Sequence, residues 1–153
     1  MIKLYYTHLN CDSEEFIKKS LYAFSGKNDY EIKRTQNGKP YVDAGIHFSL
    51  SHTDSLTVCA VSYGAVGVDA EKIRSIKNKE RILERYAGQK ALSDEDFLRK
   101  WTAFESAVKF FGEKLTSYNK ANEHSRHIET FNMGEYVVSV CSDEKEEIKK
   151  ERL

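Results

Sequence analysis

Ala65-Val66-Gly67-Val68-Asp69-Ala70-Glu71 decides how this chain is read. It is a strand-like run that ends in two carboxylates. Residues two apart on an extended backbone share a side, so Asp69 and Glu71 face one way while Val68 and Ala70 face a core. Two carboxylates on one face repel unless a cation lies between them. Downstream, Trp101-Thr102-Ala103-Phe104-Glu105-Ser106-Ala107-Val108-Lys109 places Glu105 and Lys109 one helical turn apart. Both flank an apolar stripe of Phe97, Trp101, Phe104, Val108 and Phe111, so their heads belong at the rim of the core. Asp69, Glu71 and Glu105 as oxygen ligands, with Lys109 as a cation, can hold Mg²⁺ and a diphosphate together. Taken singly, each pair also fits a plain surface: solvated acids at a strand end, or an ion pair worth a few tenths of a kcal/mol.

Upstream, Ile2 to Tyr6 reads as a strand. Asp12-Ser13-Glu14-Glu15 opens an amphipathic helix that runs to about Phe24 and ends at Gly26. Tyr30 to Thr35 alternates like a short strand, and Asn37-Gly38-Lys39-Pro40 is a turn. His47 to Ser51 and Leu56 to Tyr63 form a hairpin across a polar link. Its Ser49-Leu50-Ser51-His52-Thr53 offers hydroxyls and an imidazole to phosphate oxygens, although a polar turn explains it as well.

Downstream of Glu71, a helix is expected near Ile76 to Tyr86. A longer one runs from Asp94 to about Phe111, capped by Ser93 and closed by Gly112. Arg126 to Asn132 and Glu135 to Cys141 make a last hairpin across Met133-Gly134. The charged tail from Asp143 to Arg152 reads as a solvated helix or a frayed end. His124 and His127, near Glu123, fit a loop better than a metal site. The element order repeats loosely after residue 66, which predicts an α+β fold with antiparallel sheets: one domain over 1–153, with halves of about 1–66 and 67–153.

The 153 residues carry 24 basic and 24 acidic side chains, and this zero net charge argues against a duplex nucleic-acid binder. No apolar run is long enough to span a membrane, and the first residues lack the apolar core of a signal peptide. Three widely spaced cysteines fit reduced thiols in a cytoplasmic protein.

Gly38-Lys39-Pro40, Phe48 to Thr53, Gly67 to Glu71 and Trp101 to Lys109 stand in the order seen in 4'-phosphopantetheinyl transferases. With about 66 residues before Gly67, the chain resembles the larger, surfactin-synthetase-activating subgroup. The resemblance implies two pseudo-twofold-related α+β halves, each a small antiparallel sheet packed with a helix, with the active site between them. It also implies Mg²⁺-dependent transfer of the phosphopantetheine arm of coenzyme A to a serine of an apo acyl or peptidyl carrier protein, releasing 3',5'-ADP. By that match Asp69, Glu71 and Glu105 ligate Mg²⁺, and Glu105 also takes the serine proton. Lys109 stabilises the departing phosphate, while Lys39, Ser51 and His52 hold the 3'-phosphate and diphosphate. The family usually has lysine before the helix glutamate, where this chain has Phe104. A non-catalytic relative that binds coenzyme A or a carrier protein is therefore the alternative, with an unrelated Mg²⁺-dependent phosphohydrolase behind it. A single chain is expected to complete the site, which predicts a monomer.

Overall fold

The computed structural model describes residues 1–116 and 126–153, so Glu123 and His124 lie outside the described residues. Helix α1 (Ser13–Ser25) begins where Asp12 accepts hydrogen bonds from the Glu14 and Glu15 amides, and stops at left-handed Gly26. Helix α2 (Lys79–Ala87) starts later than the sequence suggests, with Asn78 as an N-cap that forms no side-chain hydrogen bond. Helix α3 (Asp94–Phe111) has the predicted bounds, because Ser93 accepts from the Asp96 amide and Gly112 takes the left-handed C-cap.

The strands are β1 (Ile2–Thr7), β2 (Lys33–Arg34), β3 (Pro40–Tyr41), β4 (His47–Thr53), β5 (Leu56–Ser62), β6 (Val66–Lys72), β7 (His127–Met133), β8 (Tyr136–Ser142) and β9 (Ile148–Arg152). A four-stranded sheet runs β4-β5-β1-β9, a three-stranded sheet runs β6-β8-β7, and β2 pairs with β3. The same connection appears twice. A strand (β1 or β6) precedes a helix (α1 or α3), and the hairpin after that helix returns its second strand (β5 or β8) to the first strand.

Two expectations are corrected. Tyr30 to Thr35 shrinks to the two residues of β2. The charged tail ends not in a helix or a frayed end but in β9, which pairs with β1 in parallel, so the sheets are not all antiparallel. The physical reason is the position of β9. An edge strand keeps its charges in solvent and needs only one neighbour. Lys3 meets Glu151 at 3.4 Å, Lys150 lies 3.7 Å from the centre of the Phe131 ring, and the N-terminal ammonium meets Glu146.

Alternation sorts each strand between two faces. Ile2, Leu4, Val58 and Ala60 of one sheet pack on Val66, Val68, Val138 and Val140 of the other, so the sheets bury one face against each other. The outer face of the first sheet, with Tyr5, Phe48, Cys59 and Val61, is covered by Phe16, Ile17 and Leu21 of α1. The outer face of the second sheet lies under α3. Phe104 is buried there, 3% exposed, so it serves packing where a surface charge would not fit. Two of the three cysteines, Cys59 and Cys141, are buried.

The two sheets meet at β4 and β6 without sharing a backbone ladder. Side chains join them instead: Ser49 Oγ accepts from Val68 N at 3.0 Å, and Ser51 Oγ accepts from Ala70 N at 3.2 Å. These hydroxyls satisfy edge amides that would otherwise be buried without a partner.

Candidate active site

Gly67, Asp69 and Glu71 share the face of β6 that looks up at α3. Gly67 is where the helix crosses. A Cβ there would lie 2.0 Å from Ser106 O and 2.5 Å from Phe110 N, so backbone rests on backbone. This close approach brings the next residue on that face, Asp69, beside Glu105 and Lys109.

Asp69 is 3% exposed. Its Oδ1 accepts from Lys109 Nζ at 2.7 Å and from Ser51 Oγ at 2.9 Å. Its Oδ2 is buried without a hydrogen-bond donor. The Glu105 carboxyl faces it, and Glu105 is pushed up to about 7. Burial is the larger cause, followed by the negative charge of Asp69, with Lys109 opposing and Glu71 adding. A proton on Glu105 would supply the hydrogen bond that Asp69 Oδ2 lacks. Without it, two buried carboxylates repel.

Glu71 is near enough to act on Glu105, but its Oε2 is turned to Arg74 Nη2 at 3.2 Å and to Thr53 Oγ1 at 3.5 Å. The structure thus brings Asp69 and Glu105 together and leaves Glu71 at the margin. Among the described residues no three His, Cys, Asp or Glu side chains stand grouped to hold a metal ion. The donors nonetheless suit one: hard carboxylate oxygens, one orphaned and buried, that repel until a cation or proton joins them.

Beside this cluster lies a cavity of about 420 Å³, walled by α1, the 34–40 turn, β4 and the end of α3. Lys39, His52 and Lys109, three of the predicted phosphate-binding residues, line it. Lys39, however, points its ammonium at the end of α3, donating to Lys109 O at 2.6 Å and Phe110 O at 3.2 Å. Ser51, the fourth, is turned away: it is 7% exposed and both its hydrogen bonds go to β6. The sequence reading missed Arg34, Asn37 and the apolar wall of Ile17, Ile32 and Phe48. Arg34 and Asn37 lie just before Gly38-Lys39-Pro40, a signal that was available. The apolar wall comes from three separate stretches of the chain and carried none.

The 4'-phosphopantetheinyl transferase gsp of Aneurinibacillus migulanus is 36% identical over 94 residues, covering 55% of this chain and 39% of its own length. The chain is thus similar to a 4'-phosphopantetheinyl transferase over about half of its own length. The 4'-phosphopantetheinyl transferase HetI of Nostoc sp. (strain PCC 7120) is 33% identical over 105 residues, covering 58% of this chain and 43% of its own length. The chain therefore matches well under half the length of either phosphopantetheinyl transferase. No family model matches it. The resemblance read from the motifs is thus borne out by two homologues, and the α+β architecture is consistent with that family. Among the described residues, no helix is long and apolar enough to cross a membrane.

Proposed function

We propose that this chain transfers the 4'-phosphopantetheine group of coenzyme A to a serine hydroxyl of an apo acyl or peptidyl carrier protein, releasing 3',5'-ADP. The observation that carries the reading is Lys109. It lines the cavity and at the same time lies 2.7 Å from Asp69 Oδ1, so the ligand-sized space and the acidic cluster form one site. The homology to gsp and HetI supports that chemistry at this site.

The parts divide as phosphoryl transfer requires, by positioning and by neutralising charge. The cavity takes the nucleotide end of coenzyme A, with His52 and Lys109 facing its phosphates. Glu105 in its ionised form accepts the serine proton as the serine oxygen bonds to the phosphorus that bears the pantetheine arm. The bridging P–O bond breaks, and its electron pair leaves with 3',5'-ADP. A carboxylate with a pKa near 7 is matched to that task at neutral pH. Lys109 offsets charge on the leaving phosphate. Asp69 and Glu105, joined by Glu71 once it releases Arg74, would hold Mg²⁺. That ion supplies charge neutralisation of the diphosphate. All these groups come from one chain, which fits a monomer, and the reading places the protein in the cytoplasm.

The test is to incubate the protein with coenzyme A, Mg²⁺ and several apo carrier proteins and to weigh the carriers by mass spectrometry. A gain of one phosphopantetheine is expected. Coenzyme A binding with no gain on any carrier would overturn transfer and leave a binding protein.

A further inference from the structure

We propose that the 35–39 turn is a latch on the C-terminal end of α3, and that Lys39 is a positioning residue for Lys109 rather than a ligand of the substrate. This deepens the transferase reading and rests on it for its kinetic consequence.

The last carbonyls of an α-helix have no partners inside the helix. In α3 a single ammonium reaches two of these end carbonyls, as Lys39 Nζ donates to Phe110 O and to Lys109 O, which also accepts from the C-cap Gly112 N at 3.2 Å. Asn37 Nδ2 donates to Gly112 O at 3.0 Å, so the same turn also holds the C-cap residue. The turn is braced from within. Gly38 N donates to Thr35 O at 2.9 Å, Thr35 N to Lys39 O at 2.9 Å, and Lys39 N to Thr35 Oγ1 at 3.1 Å. The Lys39 stem lies flush against the helix end, since a Cβ on Gly112 would come within 3.3 Å of Lys39 Cδ. A cation at this end also complements the helix dipole. Burial brings the Lys39 ammonium down to about 8, as expected for a charge held against protein rather than water.

The latch has a consequence for the site. Lys109 is the residue whose side chain joins the cavity to Asp69, and its backbone carbonyl is bonded to a turn some 70 residues earlier in the chain as well as to its own C-cap amide. The turn and the end of α3 are adjoining walls of the cavity, so the latch fixes that side of it and the reach of Lys109 together.

Lys39→Met keeps the stem and removes the donor. In the full chain, the amides from Phe110 to Glu113 should exchange with deuterium about tenfold faster. The transfer kcat should fall about tenfold while the Kd for coenzyme A changes less than about threefold. Lys39→Arg should restore both. If Lys39→Met leaves exchange at the end of α3 unchanged, the latch is overturned. A tenfold rise in Kd beside that result would make Lys39 a phosphate ligand. Should Lys39→Met not fold, Asn37→Ala removes a single latch bond, and unchanged exchange at Gly112 and Glu113 overturns the proposal equally. If the unaltered protein neither binds coenzyme A nor modifies a carrier, the transferase reading fails, and the exchange data still decide the latch.

Discussion

A methyl group at residue 67 would stand 2.0 Å from the Ser106 carbonyl oxygen, with helix backbone on the far side and no flexible side chain to give way. Gly67→Ala should therefore cost about 3 kcal/mol or more, read as a lowered denaturation midpoint. A variant that melts with the parent would mean that α3 does not rest on β6. Glu105 carries the opposite expectation. Its raised pKa means that the folded chain holds a proton the unfolded chain has lost between the ordinary carboxylate range and about 7. The stability from that proton is complete in acid and disappears as pH rises through about 7. With metal chelated at pH 8, Glu105→Gln should thus be more stable than the parent by about 1–2 kcal/mol, and the gap should close below pH 5. A Gln variant that is less stable at pH 8 would remove the repulsion between Asp69 and Glu105 from this account. Tyr5 offers a smaller test. Its hydroxyl is buried with no hydrogen-bond partner among the described residues, and burial pushes it up to about 12. Tyr5→Phe should be neutral or stabilising by about 1 kcal/mol in a thermal melt, and a loss of that size would reveal an unseen partner.

At the scale of elements, the seam between β4 and β6 holds the acidic cluster in place. Ser51 both satisfies an edge amide of β6 and donates to Asp69 Oδ1. Ser51→Ala should destabilise by about 1–3 kcal/mol, the cost of leaving a buried amide unpaired, and chemical denaturation measures it. If Ser51 bound phosphate instead, the variant would keep its stability and lose coenzyme A affinity. The sequence made some of this legible and hid the rest. Local chemistry announced itself: the Ser93 and Gly112 caps bounded α3, and the two-residue period of Gly67, Asp69 and Glu71 put all three on one face. What depended on a distant partner did not. Ser51 looks like a phosphate donor until β6 is seen beside it. Lys39 looks like a solvent-facing turn lysine until the carbonyls of α3 come into view. The charged tail looks frayed because nothing within it records that β1 lies alongside.

Across the whole molecule, helices cover the outer faces of two sheets that meet in an apolar layer, and the candidate site lies where β4, β6 and α3 converge. The cavity and the acids draw on segments far apart in the chain, from α1 to α3, so no single window of sequence contains the site. The chain is similar to gsp and HetI, and the match spans less than half the length of either. The central claim is that this chain itself performs the transfer through Glu105. The most direct measurement is the intact mass of an apo carrier protein after incubation with coenzyme A and Mg²⁺, with the parent protein and Glu105→Gln side by side. The parent should add one phosphopantetheine and the folded Gln variant none. A carrier left unmodified by the parent, or modified equally fast by the variant, would contradict it.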